Sequence, residues 1–147
     1  MPHHRMDLPI EFFSEDVEFE LKNPDQVAAW INDVIEEHNQ ELVSLTYVFC
    51  SDDYLHEMNV SYLDHDTLTD IITFDNADEE GIIEGDIFIS IDRVRDNAKD
   101  LGTTFDNELH RVIIHGVLHL LGFKDKTEEQ EELMRNQEDS SLSLRKF

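Results

Sequence analysis

Apolar residues recur along this chain at two spacings, and the switches between them mark the elements. Val43, Leu45, Tyr47 and Phe49 recur at every second position, the pattern of a half-buried strand. Residues 10–13 and 17–19 carry the same alternation over shorter spans and read as two short strands. Between them and the long strand, Val27, Trp30, Ile31 and Ile35 fall at helical spacing. Asn23 is placed to cap that helix, Pro24 to occupy its first turn and Gln26 to complete a capping box. Ser51, Asp52 and Asp53 open a second helix that turns Leu55, Met58 and Tyr62 inward. Residues 70–74 and 82–89 read as strands joined across the acidic turn 76–81 as a hairpin. Ser90 then caps a helix running through Val94, Ala98 and Leu101, with Gly102 as its stop.

The longest helical pattern follows. Thr104 opens it, and Phe105, Leu109, Val112, Ile113, Gly116 and Leu120 form a broad apolar stripe. In 100° steps, His115 and His119 fall on the border of that stripe, where they can face a cleft between helix and sheet. Glu108 lies on the same side two turns earlier, about 10 Å up the axis from His115, too far for a shared ligand but within reach of a supporting role. His110 and Arg111 fall off this face. Residues 127–143 form an acidic helix with Leu133 and Met134 as anchors, and the chain is expected to fray over about 1–8 and 140–147. The elements predict an α+β fold in one domain spanning 1–147: a mixed sheet of about four strands with helices packed against it.

Composition narrows the function. A chain of 147 residues is long enough for one ordinary hydrophobic core. Its net charge of −24 would repel bare polyphosphate at long range, which argues against a general RNA-binding protein. RNA contact then requires that the charge lie on faces away from the site or that a basic partner present the RNA. The same acidic surface also serves solubility with no partner at all. The single cysteine, Cys50, rules out an internal disulfide, fits a reducing compartment, and ends an apolar strand as a buried small side chain. The start of the chain has no apolar signal region, and no apolar run approaches 18 residues, so a cytoplasmic protein without a membrane span is expected. His3 and His4 could bind a metal only weakly.

Candidate chemistry concentrates in residues 115–125. Two histidines four apart on a helix share one face and can direct their nitrogens at one ion. Gly122 can end the helix in a left-handed turn, letting the chain double back so that Asp125 approaches the same ion. A His115–His119–Asp125 set with an open position is the ligand geometry of extended zincin motifs, and suits one catalytic Zn²⁺ per chain. Gly116 stands where a metalloprotease carries its glutamate base, which argues against that activity. Residues 64–67, with His65 between two aspartates, read as a turn lining the cleft, since adjacent loop residues rarely converge on one ion. Asp70 and Asp86 invite pairing as a general acid and base, or else flank strand ends.

Three stretches together resemble the YbeY-type endoribonucleases. These are His115-Gly116-x-Leu118-His119-Leu120-x-Gly122-Phe123, then Met58-Asn59-x-x-Tyr62 followed by Thr69-Asp70-Ile71-Ile72-Thr73-Phe74, and Gly85-Asp86-Ile87-Phe88-Ile89-Ser90. They occur in the family's order and span about residues 42–125. Asp125 stands where the family has a third histidine, Lys124 where it has an acidic residue, and Leu63 where it has an arginine. His65, two residues on, could stand in for that arginine. The resemblance implies a zincin-like layered fold and a metal-dependent, single-strand-specific endoribonuclease of rRNA maturation, acting in processing of the 16S rRNA 3′ end and in ribosome quality control. It implies as partners ribosomal RNA in small-subunit particles and a basic ribosomal protein, with no role on DNA. The site would comprise His115 and His119 acting through a metal-bound water, with His65 and Asp70 in the cleft. Two alternatives carry different chemistry: a non-catalytic ribosome assembly factor gripping a basic ribosomal protein, and a metallohydrolase of small substrates.

Overall fold

The long alternating segment becomes the second strand of a four-stranded sheet, and everything that positions the histidines is built on it. In the computed structural model, which describes residues 8–63 and 69–147, the elements run β1 (Ile10–Ser14), α1 (Pro24–Glu37), β2 (Glu41–Cys50), α2 (Asp52–Leu63), β3 (Ile71–Asp75), β4 (Ile82–Ser90), α3 (Ile91–Leu101), α4 (Phe105–Leu120) and α5 (Glu128–Leu142). The spatial order is β1-β2-β4-β3. β1 and β4 flank β2 in parallel, and β3 returns antiparallel to β4 at the edge. The α+β class, the mixed sheet of four strands and the β3–β4 hairpin are as the pattern predicts.

Alternation sorts the two faces. Leu45, Tyr47, Phe49, Ile83, Ile87 and Ile89 point into the main core, where α1 brings Trp30, Ile31 and Ile35 and α4 brings Leu109, Val112, Ile113 and Val117. Cys50, Ile72, Phe74 and Phe88 point the other way and meet Leu55 and Met58 of α2. The last four residues of β2 are therefore buried on both faces, as central parallel strands are. The buried Tyr47 hydroxyl donates to the Ile113 carbonyl at 3.0 Å, pinning α4 to the sheet. Cys50 is buried with its thiol pushed up to about 12 by burial and nearby aspartates, which keeps it inert. Gly116 lets α4 settle closely, because a Cβ there would meet Ile87 and Ile71 at 3.0–3.1 Å.

Several expectations are corrected. Residues 17–19 form no strand: the chain turns at Asp16 (φ 63°), the Ser14 hydroxyl donates to the Phe19 carbonyl at 2.6 Å, and Phe19 reaches the core from a loop. Asn23 does not cap α1 through its side chain, since it adopts the left-handed conformation (φ 53°, ψ 50°) and leaves the Gln26 capping box unformed. Leu101 and Leu133 are exposed, at 65% and 48%, so neither anchors its helix. The C-terminal residues are packed where fraying from 140 is expected. Ser141 and Leu142 are buried, the Trp30 indole donates to the Ser141 carbonyl at 2.8 Å, and the Phe147 ring meets Trp30 and His110 edge-on. Residues 1–7, with His3 and His4, lie outside the described residues.

Candidate metal centre

The site grows from the C-terminal end of α4. Thr104 caps the helix by accepting from the Asn107 amide, and the Tyr47 bond fixes its rotation. The helix ends in a Schellman turn: the Phe123 amide reaches the Leu118 carbonyl and the Gly122 amide the His119 carbonyl, each at 3.0 Å. Gly122 supplies the required positive φ of 106°. That reversal returns Asp125 to the histidines, as the sequence suggests.

His115, His119 and Asp125 each present one ligand atom, and all three atoms lie within 4.8 Å of one another. The two Nε2 atoms are 2.9 Å apart, and Asp125 Oδ2 is 3.4 Å from each. For comparison, two nitrogens about 2.0–2.1 Å from one tetrahedral zinc stand about 3.3 Å apart. The protonation pattern also fits a cation. His115 Nδ1 faces a Glu138 carboxylate oxygen at 2.7 Å, and His119 Nδ1 faces the Phe123 carbonyl at 3.0 Å. Both partners accept, so both Nδ1 atoms carry hydrogen, and what the two facing Nε2 atoms share is either one proton or one cation. With that proton gone, two lone pairs face one point, as a shared cation requires. The donor set, two imidazoles and a carboxylate, suits zinc.

A buried ionic cluster lies behind the histidines. Glu138 of α5 accepts from His115 with one oxygen and from Arg111 with the other, at 2.7 Å each. Arg111 also approaches Asp139 at 3.5 Å and the buried Glu108 at 3.6 Å. Burial alone would raise the Glu138 carboxyl, but the His115 and Arg111 contacts outweigh it and hold it low. Burial pulls the His115 imidazole down, while Glu138, Asp70 and Asp125 carry it to a net rise. His119 is lowered by burial and by the neighbouring His115 charge. Burial raises both Asp70 and Glu108, and each feels the His115 charge.

Asp70 feels the charges of this cluster, and Asn97 donates to its carboxylate at 3.3 Å. Asp86 does not pair with it: Asp86 sits opposite Phe74, while the Asp70 carbonyl bonds the Ser90 amide at the other end of the same ladder. Asp86 instead accepts from Asn76 at 3.2 Å. His65 lies outside the described residues. Arg111, which helical spacing puts off the site's face, turns toward α5 and holds the partner of His115. Glu138 is the residue the motif hides, being 19 positions beyond His119. One signal points to it: Met134, Glu138 and Leu142 recur every fourth residue, so a carboxylate occupies the apolar stripe of α5.

Comparison with known proteins decides the family. The family model for endoribonuclease YbeY matches residues 10–145. This chain belongs to the YbeY family. It is 54% identical over 138 residues to endoribonuclease YbeY of Cytophaga hutchinsonii, covering 94% of this chain and 96% of that one. Endoribonuclease YbeY of Amoebophilus asiaticus is 51% identical over 129 residues, 88% of either chain. The solution structure of TM1509 from Thermotoga maritima superposes with a TM-score of 0.62 at 25% identity, covering 91% of this chain and 89% of that one. Among the described residues no helix is long and apolar enough to cross a membrane.

Proposed function

We propose that this YbeY-family protein is a zinc-dependent, single-strand-specific endoribonuclease of rRNA maturation in the cytoplasm, holding one ion per chain. The observation that carries this reading is the convergence of His115, His119 and Asp125, with both Nε2 atoms aimed at one point. Zinc bound there supplies Lewis-acid polarisation of a phosphoryl oxygen and acidifies water. The protein's own groups divide the remaining work. The hydrogen bonds to Glu138 and the Phe123 carbonyl fix the two imidazoles in orientation and tautomer. The Asp125 carboxylate closes the ligand set at an edge where its side chain is 39% exposed, so a phosphodiester has access. Asp70, whose burial favours the protonated carboxyl, would hand a proton to a leaving oxygen. His65 takes the phosphate-holding role that an arginine at position 63 would serve. Gly116 supplies no base, and any side chain at that position would point into Ile71 and Ile87, which disfavours a peptidase.

The RNA is taken to be ribosomal RNA in small-subunit particles, with a basic ribosomal protein overcoming the charge of −24. The test is cleavage of precursor rRNA in purified small-subunit particles by zinc-loaded protein beside the His115→Ala/His119→Ala variant, with metal content measured in both. Cleavage and stoichiometric zinc are expected in the first and neither in the second. A zinc-loaded protein that binds the particles without cutting would replace this reading with a non-catalytic assembly factor.

A further inference from the structure

The α5 helix contributes no ligand to the metal cluster, yet it supplies the closest polar contact to one of the two histidines. Glu138 is 7% exposed, and each of its oxygens is committed: Oε2 to the His115 Nδ1–H and Oε1 to Arg111 Nη1. We propose that Glu138 is a positioning residue of the metal centre: it locks His115 with Nε2 toward the ion, and Arg111 keeps it in place. The inference rests on the metal reading of the cluster.

The argument is one of donors and acceptors. A carboxylate accepts and never donates, so its contact selects the Nδ1–H tautomer and leaves Nε2 free for a ligand bond. Carboxylate partners of this kind orient ligating histidines, strengthen them as donors and are worth 10–100-fold in metal affinity. Arg111 is the reason the carboxylate cannot be replaced by its amide. Arg111 and His115 Nδ1–H are both donors, and a glutamine has a single acceptor oxygen to offer two of them. Whichever way the amide turns, it sets its NH₂ against a donor or drives the proton off His115 Nδ1. His119 provides the contrast within one site, since its Nδ1–H is held by the Phe123 backbone carbonyl, which no side-chain substitution removes.

Glu138→Gln and Arg111→Lys separate positioning from packing. Lysine keeps the ion pair to Glu138 while giving up the guanidinium fork, whereas glutamine keeps the shape and loses the second acceptor. Zinc affinity is read by competition with a chromophoric chelator. The ring nitrogens of His115 are read from two-bond ¹⁵N–¹H spectra of the zinc-loaded proteins. We expect Glu138→Gln to bind zinc 10–100-fold more weakly and to lose or shift the His115 Nδ1–H signal. Arg111→Lys, which keeps a cation beside Glu138, should weaken binding less than Glu138→Gln and keep that signal. The proposal fails if Glu138→Gln binds within threefold, if both variants weaken binding equally, or if affinity drops with the His115 signal unchanged. The parent spectrum is decisive even if a variant does not fold: zinc-loaded protein lacking a His115 Nδ1–H overturns the proposal. A parent that binds no zinc overturns the metal reading itself, a separate and recognisable result.

Discussion

Two glycines set how closely the metal helix and its sheet approach, and they should respond differently to one added methyl. At Gly116 a Cβ would meet the side-chain methyls of Ile87 and Ile71 at 3.0–3.1 Å, and such atoms can yield by a few tenths of an ångström. At Gly85 the Cβ would lie 2.5 Å from the Phe74 carbonyl oxygen, which belongs to the β3–β4 ladder and cannot yield. Gly116→Ala should therefore be close to neutral, an overpacking cost of about 1 kcal/mol being offset by the ~1 kcal/mol that alanine gains over glycine inside a helix, and Gly85→Ala should cost about 3 kcal/mol or more. Urea unfolding of the two variants beside the parent measures both. A larger loss at Gly116 than at Gly85 would reverse the argument. The same geometry disfavours a glutamate after His115, since its Cβ already crowds Ile87 and Ile71 before the rest of the side chain is placed.

At the scale of elements, the C-terminal segment is tied down by His110, and that tie is sensitive to acid. Arg145 donates to His110 Nδ1 at 2.8 Å and to Asn107 at 3.1 Å, while Phe147 packs on the His110 and Trp30 rings. Burial and the Arg145 charge lower His110 from 6.5 to about 4. Between those values the unfolded chain holds a proton that the folded chain refuses. The contribution is thus complete above about pH 6.5 and is lost as pH falls toward 4. The ring is partly exposed, so the loss attributable to this residue should be about 1–2 kcal/mol. In metal-free protein, His110→Gln keeps an acceptor for Arg145 and should lose that much less stability than the parent between pH 7 and 4.5. Equal losses in urea titrations at the two pH values would rule out His110 as the source. This latch also shows where sequence patterns end. The strands of the sheet, the Ser90 and Thr104 caps and the Gly122 turn are local events written in neighbouring residues, so periodicity and capping rules reach them, as they reach the triad around Gly122. Phe19 alternates with Val17 like a strand residue but packs from a loop, because its pattern reflects burial rather than pairing. Leu133 and Glu138 exchange the roles that hydrophobicity alone assigns them. The packing of α5 on α4 is a long-range choice, made by the Arg111–Glu138–His115 contacts, and no window of sequence contains all three.

The whole molecule carries 35 acidic side chains against 11 lysines and arginines, and self-repulsion on that scale acts on both stability and substrate encounter. Around the candidate centre the local cations are few. Arg111 is engaged by Glu138, Asp139 and Glu108, while the exposed Lys124 and Lys126 flank Asp125. Salt should therefore stabilise the fold. The screening length falls from about 30 Å at 0.01 M to about 10 Å at 0.1 M, which weakens repulsion between distant carboxylates more than attraction within the buried cluster. A gain of about 2 kcal/mol, or roughly 4–8 °C in Tm, is expected on raising sodium chloride from about 10 to 300 mM. The same charge sets the salt dependence of contact with naked RNA. Two lysines neutralising two phosphates of a single strand give a slope of log affinity against log salt of about −1.4. The surrounding carboxylates push that slope toward zero or above. A nuclease gripping six phosphates would instead show a slope near −4. Binding of a short single-stranded RNA to the zinc-loaded protein at 50–200 mM salt measures it directly. A shallow slope with weak binding would mean that this protein depends on its RNA being presented by a basic assembly. A slope near −4 would mean that a strong phosphate-binding surface exists on this chain despite its net charge, and the need for a basic partner would fall away.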